Sequence, residues 1–308
     1  MDKKIAFLFP GQGSQYVGMG KDLVDMYPEV AELFALADET LGFSLSSIMY
    51  EGPEEVLLQT AYSQLATYLH SLSVVKIISS RMSIVPSLVS GLSLGEYTAL
   101  VVSKRISIVD GFRIIHKRAQ FMNEACKHRP GAMAAIVGLT ADVVEENISS
   151  LGDGIWVANY NSPKQLVIAG IREKIEEAMR LFIDLGAKRA VLLKVSGAFH
   201  TPLMQTAEDE LSPYLYNLDM NDSEIPFISN VVAKPLLDTE EIRQCLVRQM
   251  TSPTLWYQSC SQMDTEVDGF LELGPGKVLA GLGRSMGMSK PIRSLGTVES
   301  IQNFLMGG

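Results

Sequence analysis

In the run Gly91-Leu92-Ser93-Leu94-Gly95, a serine has glycines two residues to either side. That spacing suits a sharp strand-to-helix turn, where small neighbours let the backbone double back while the serine hydroxyl is held clear. A serine so placed attacks acyl carbons, because the N–H of the next residue, here Leu94, faces the developing oxyanion. The alcohol is a weak nucleophile and needs a base. Of the four histidines, His116 and His128 stand beside Lys117, Lys127 and Arg129 and read as surface side chains. His70 falls in a helical stretch with no recognisable context. His200, in Val195-Ser-Gly-Ala-Phe-His-Thr-Pro-Leu-Met204, stands at a strand-to-helix junction and follows Ser93 in chain order, as in hydrolase-like sites. It is the best candidate base. The acids between Ser93 and His200 fall mostly on helices and none has a distinctive loop context. A Ser–His pair, its imidazole oriented by a carbonyl or amide, is therefore more attractive than a full triad.

Two glycine-rich loops invite other readings. Gly11-x-Gly13 follows a strand, but Tyr16 occupies the third glycine position of a dinucleotide fingerprint. Gly274-Pro-Gly-Lys277 lacks the earlier glycine of a P-loop, and Val278 replaces its Ser/Thr. Loop 11–15 could instead supply a second oxyanion donor through the Gln12 N–H. A simple connecting turn fits its local sequence equally well.

The elements that would position these residues alternate strand with helix. Residues 5–9 form a continuous apolar run, as in a strand buried on both faces. Helical patterning follows over 22–41 and 72–78, then a strand over 84–90, a helix over 96–102 and another over 110–126, with Asp110 as a plausible N-cap. From 130 the texture changes. Strands over 132–137, 155–159, 165–169 and 190–195 enclose helices beginning at Thr140, its expected N-cap, and spanning 173–185. This β-α-β-β-α-β order is the ferredoxin-like arrangement. Helix 201–215, strand 225–232, helices 240–250 and 252–262, strand 269–273 and helix 277–286 complete the pattern. The expected fold is α/β: a hydrolase-like large domain with a mostly parallel sheet (1–129 and 198–308) and an inserted ferredoxin-like subdomain (130–197).

Bulk properties narrow the partners. The chain has 308 residues and a net charge of −9, so no nucleic-acid footprint is expected. Its three cysteines, Cys126, Cys245 and Cys260, lack metal or disulfide spacing and fit a reducing cytoplasm. The apolar run at 5–9 stops at Pro10-Gly11, too short for a signal peptide. No apolar run is long enough for a transmembrane helix, so no membrane partner is expected.

Six motifs occur in register: Phe9-Pro-Gly-Gln-Gly-Ser-Gln15, Gly91-x-Ser-Leu-Gly-Glu-Tyr97, Gly131-Ala-Met-Ala-Ala-Ile136, Asn159-x-Asn-Ser-Pro163, Phe199-His200 and Leu273-Gly-Pro-Gly-Lys277. Together, over residues 4 to about 285, they resemble the malonyl-CoA:acyl carrier protein transacylases of fatty-acid synthesis. The resemblance implies that a malonyl group passes from coenzyme A to Ser93, then to the phosphopantetheine thiol of holo acyl carrier protein, with His200 as general base and then acid. Gln12 and Leu94 would form the oxyanion hole. Arg118 would bind the malonyl carboxylate, a match of guanidinium to carboxylate. Gln249 would orient His200 through its backbone carbonyl, Gln64 would line the pocket, and Phe199 would crowd α-branched acyl groups. No cofactor is implied, and a monomer is expected. The chain departs from the family at Leu92, where histidine is usual, at Leu65 (proline) and at Ala119 (glycine). A serine thioesterase or other hydrolase, a discrete acyltransferase of a polyketide or malonate-decarboxylase system, and a non-catalytic carrier-protein-binding subunit remain as alternatives.

Overall fold

Strand β1 (Ile5–Phe9) is apolar throughout, and the fold buries it on both faces. Ala6 and Leu8 face one core cluster, with Trp256 and Leu279; Phe7 and Phe9 face another, with Leu65 and Tyr97. The computed structural model describes residues 3–195 and 197–307. β1 lies between β2 (Leu88–Gly91) and β9 (Gly269–Leu273), parallel to both. β10 (Ile292–Leu295) continues the sheet in parallel beyond β9, and β7 (Phe227–Ile228) beyond β2. A short β8 (Pro235–Leu236) closes the other edge antiparallel, giving the order β10-β9-β1-β2-β7-β8. Helices cover both faces, as a parallel sheet requires.

A second sheet is wholly antiparallel, in the order β4-β5-β3-β6, from β3 (Ala132–Val137), β4 (Ile155–Ser162), β5 (Gln165–Gly170) and β6 (Arg189–Leu192). Alternation sets its two faces. Ala134, Ile136, Leu166 and Ile168 meet Val144, Ile175 and Phe182 of two covering helices. Met133, Val167 and Ala169 point the other way, into the cluster that contains Phe9 and Leu94. The order and the two helices give the expected ferredoxin-like topology.

Several boundaries differ from the sequence expectations, each for a local reason. Stretch 22–41 is two helices, Lys21–Met26 and Pro28–Leu41, because Pro28 has no N–H to continue the first. Asp110 is not an N-cap: helix Ile108–His128 starts earlier, capped by Ser107, whose hydroxyl accepts the Asp110 N–H at 3.0 Å. Thr140 holds the N-cap position of helix Ala141–Leu151 but makes no side-chain cap bond. The strand expected over 225–232 shrinks to two residues, since the chain turns at Ser229 to bring Asn230 to the site. The helices expected over 240–250 and 252–262 are Thr239–Arg248 and Trp256–Asp264, leaving 249–255 as connecting chain. Ser196, just before the Gly197 to His200 corner, lies outside the described residues.

Candidate active site

β2 ends at Gly91 and helix Gly95–Val102 begins four residues later. The reversal leaves no space for side chains at either glycine. A Cβ on Gly91 would sit 2.0 Å from the Gly95 carbonyl carbon, and one on Gly95 2.2 Å from the Phe9 carbonyl oxygen. Ser93, at the apex, has φ 52°, a left-handed conformation that side chains adopt at a cost. The Asn230 side-chain amide holds the turn on both sides. Its Oδ1 accepts the Ser93 N–H at 2.6 Å, and its Nδ2 donates to the Gly91 carbonyl at 2.7 Å.

His200, also left-handed at φ 62°, reaches the same point from the corner that follows the antiparallel sheet. Its Nε2 lies 2.9 Å from Ser93 Oγ and its Nδ1 2.9 Å from the Gln249 carbonyl oxygen. A carbonyl only accepts, so Nδ1 carries the proton and Nε2 is free to take one from the serine. Burial first, and then the nearby Arg118 charge, lower the His200 pKa to about 4. At neutral pH the ring is therefore neutral, the state a base needs.

Arg118 projects from helix Ile108–His128 and is fully buried, unlike a solvated helix arginine. Its Nη1 donates to Gln64 Oε1 at 2.7 Å. Its Nη2 donates to Gln249 Oε1 at 2.9 Å and to Ser93 Oγ at 3.0 Å. The guanidinium carbon lies 5.6 Å from the centre of the Tyr97 ring. Gln64 is itself held by a 3.4 Å contact from Nε2 to Met122 Sδ. Five of the residues singled out in the sequence, Ser93, His200, Arg118, Gln249 and Gln64, thus form one connected set of hydrogen bonds.

The other candidates lie close by without such bonds. Loop 10–15 rests on the elbow, since a Cβ on Gly11 would fall 2.6 Å from the Leu92 carbonyl oxygen. Among the described residues, nothing accepts a hydrogen bond from the Gln12 or the Leu94 N–H. Both remain available to an incoming oxyanion. Phe199 is buried in the large apolar core beside His200. Leu92 packs with the cluster around Trp256 on the far face of the sheet. A cleft of about 520 Å³ opens beside His200. Trp156 and Tyr160 of the antiparallel sheet line one wall, and Thr251 and Pro253 the other. Among the described residues, no cluster of three or more His, Cys, Asp or Glu could hold a metal, and no helix is long and apolar enough to cross a membrane.

Sequence reading assigned no role to two residues of the site, Asn230 and Glu96. Nothing local marks Asn230, which lies in a loop far along the chain. Glu96 did carry a signal: it is the one acid in the otherwise uncharged helix Gly95–Val102. Its Oε1 accepts the Asn230 N–H at 2.6 Å, and its Oε2 accepts from Gln249 Nε2. Complete burial raises its pKa to about 7, against the opposing pull of those two donors and of Arg118.

Comparison with known proteins agrees with this geometry. The acyl transferase domain family matches residues 6–301. The malonyl CoA-acyl carrier protein transacylase of Bacillus subtilis is 42% identical over 91% of this chain and 89% of its own length. The crystal structure of the malonyl-CoA:acyl carrier protein transacylase from Xanthomonas oryzae superposes with a TM-score of 0.95 at 36% identity, covering 99% of this chain and 98% of that one. A malonyl-transacylase solved in complex with a type II PKS acyl-carrier protein gives the same TM-score at 34% identity, over 99% of this chain and 100% of that one. The chain belongs to the malonyl CoA-acyl carrier protein transacylase family.

Proposed function

We propose that this enzyme moves a malonyl group from coenzyme A to the phosphopantetheine thiol of holo acyl carrier protein through a malonyl-Ser93 ester, in fatty acid synthesis. The observation that carries the reading is the Ser93–His200 pair, bonded at 2.9 Å with the buried Arg118 guanidinium 3.0 Å from the same hydroxyl.

The steps follow from the bonds. The malonyl carboxylate enters beside Arg118 and takes over the Nη2 hydrogen bond now made to Ser93 Oγ. This frees an oxygen lone pair for attack. It also offsets the Arg118 charge, one of the two causes that depress His200, so the imidazole becomes a stronger base as substrate arrives. Ser93 Oγ attacks the thioester carbon while His200 Nε2 takes its proton. The Gln12 and Leu94 N–H groups receive the oxyanion. The C–S bond breaks, and His200 returns the proton to the coenzyme A sulfur. The carrier thiol then repeats the sequence in reverse, with His200 taking the thiol proton and returning it to Ser93. The Gln249 carbonyl keeps the tautomer throughout, the part a triad acid plays elsewhere. Gln64 holds the second arm of the arginine. Phe199 narrows the acyl pocket against α-methyl branches, a preference worth only about 1–3 kcal/mol.

The cleft beside His200, lined by Trp156, Tyr160, Thr251 and Pro253, gives the long pantetheine arm a route toward the Ser93–His200 pair. Residues 130–197 act as an inserted subdomain forming one wall, and 1–129 with 198–308 as the catalytic domain. The enzyme works without a cofactor, as a cytoplasmic monomer with neither nucleic-acid nor membrane partner. The buried free thiols of Cys245 and Cys260 suit a reducing compartment.

Transfer is separated from hydrolysis by following the malonyl group. With malonyl-CoA and holo carrier protein, malonyl-carrier should accumulate with little free malonate. Rapid release of malonate and free coenzyme A without any carrier would instead identify a thioesterase.

A further inference from the structure

Resting on the acyl-transfer reading, we propose that Glu96 is a positioning residue whose ionised carboxylate locks Gln249 and Asn230, and through them both halves of the Ser93–His200 pair. Each carboxylate oxygen has one fixed donor: Oε1 the Asn230 backbone N–H, Oε2 the Gln249 side-chain amide. Asn230 in turn grips the elbow at Gly91 and Ser93. The Gln249 Nε2 also donates to the Ser93 carbonyl at 2.9 Å. With its nitrogen held between two acceptors, the amide must aim Oε1 at Arg118, where it accepts from Nη2. The backbone carbonyl of the same residue holds His200. One buried carboxylate therefore stands behind the nucleophile, the base and the guanidinium, and touches none of the reacting atoms.

The lock depends on charge. A carboxylate is acceptor-only, so both donors are satisfied together. A proton on either oxygen competes with one of them. If it sits on Oε2, two donors face each other and the Gln249 amide is released to turn. A turned amide would present N–H groups to Arg118, which also only donates, and the guanidinium would lose its aim. The charged and titratable groups facing Glu96 are Arg118 from helix Ile108–His128, Cys245 from helix Thr239–Arg248, and Tyr97 beside it on its own helix, with His200 beyond Gln249. Arg118 favours the ionised form and burial opposes it, which leaves the group poised near neutrality. His200 titrates well below that. Two acid limbs are thus expected in kcat/KM for malonyl-CoA, an upper one from Glu96 and a lower one from His200.

The test is the rate of Ser93 malonylation by malonyl-CoA from about pH 5 to about pH 9 in wild type, Glu96→Gln and Glu96→Asp. Wild type should lose activity as pH falls through about 7. Glu96→Gln has one acceptor for two donors. It should be roughly tenfold slower at the alkaline end and lack the upper limb. Glu96→Asp should be slow and retain a limb. Should Glu96→Gln not fold, infrared titration of the wild-type carboxyl bands applies instead: a buried carboxyl band should titrate in step with the rate. An upper limb unchanged in Glu96→Gln, a wild-type rate in that variant, or no carboxyl titrating with activity overturns the proposal. Wild type forming no malonyl-Ser93 at any pH overturns the transfer reading itself, so the two failures are distinct.

Discussion

His200 and His70 are both buried, both near the central sheet, and both held to a pKa of about 4 chiefly by burial. They differ in what surrounds them. Both ring nitrogens of His200 are engaged, one by a carbonyl that fixes the tautomer and one by a hydroxyl that can give up a proton. Among the described residues, neither nitrogen of His70 has a hydrogen-bond partner; the Gly296 backbone approaches it, short of hydrogen-bonding geometry. Its polar neighbours along helix Thr60–Arg81, the Ser63, Thr67 and Ser71 hydroxyls, are likewise unpartnered. Burial and a depressed pKa thus do not by themselves make a base. A second group that sets the tautomer, and a third that supplies a proton, do.

The contrast breaks most decisively by exchanging the two histidines' fates. His200→Ala should lower kcat by roughly 10³–10⁴-fold, since the serine loses its proton acceptor. His70→Leu should leave kcat within about threefold and cost little stability, because it removes two unpaired buried polar atoms along with their desolvation penalty. Steady-state transfer assays and denaturant unfolding measure both.

Next in size is Arg118→Ala. Losing the charged hydrogen bonds to the malonyl carboxylate should cut kcat/KM for malonyl-CoA by about 10²-fold or more. Acetyl-CoA, which has no carboxylate, should lose far less, so selectivity collapses. Equal losses for the two thioesters would mean that the guanidinium does not read the carboxylate.

Gln249→Ala keeps the backbone carbonyl on His200 but strips Arg118 and Glu96 of their shared partner. A loss between about tenfold and a hundredfold is expected, corresponding to about 1–3 kcal/mol for a buried charged group left without its bond. An undiminished rate would show that the side chain is dispensable and only the carbonyl matters.

The pH dependence of stability sharpens the comparison further. Each histidine binds a proton less readily folded than unfolded, where the ordinary value is 6.5. Their contribution is fully present above about 6.5 and is lost as pH falls toward 4, by up to about 1.4 kcal/mol per pH unit for each. Removing one titrating group in His70→Leu should make that acid slope shallower, with the unfolding free energy measured at several pH values. An effect on kcat as small as that of His70→Leu is expected from Leu92→His. Leu92 packs against the apolar cluster that contains Trp256, not the one that contains Phe199 beside His200, so kcat should shift by less than about threefold.

Much of the site could be read before its geometry was known, and the reason is local. The glycines at 91 and 95 are where a Cβ would strike backbone. Loop 10–15 abuts the elbow because β1 and β2 pair in register from Ala6 and Leu88 to Phe9 and Gly91. The resemblance supplied Arg118 and Gln249, whose neighbours in sequence carry no such mark. What escaped was whatever depends on contacts across long separations. Asn230 clamps an elbow 137 residues earlier in the chain. Glu96 gains its meaning from Gln249, 153 residues later. Strand 225–232 read as long because apolar residues recur from Ile225 to Val232, but only Phe227 and Ile228 pair in the sheet before the chain bends at Ser229 to deliver Asn230. Edge strands β8 and β10 are too short for their alternation to show.

The central claim is that one hydroxyl, made reactive by His200, carries the malonyl group between two thiols. Intact-mass analysis of wild type, Ser93→Ala and His200→Ala after brief exposure to malonyl-CoA, with peptide mapping of any adduct, tests it most directly. Wild type should gain one malonyl group, mapped to Ser93 and discharged on adding holo carrier protein. Ser93→Ala should gain none, and His200→Ala should gain it far more slowly. An adduct that persists in Ser93→Ala, or a wild-type adduct that the carrier thiol does not remove, would contradict the account.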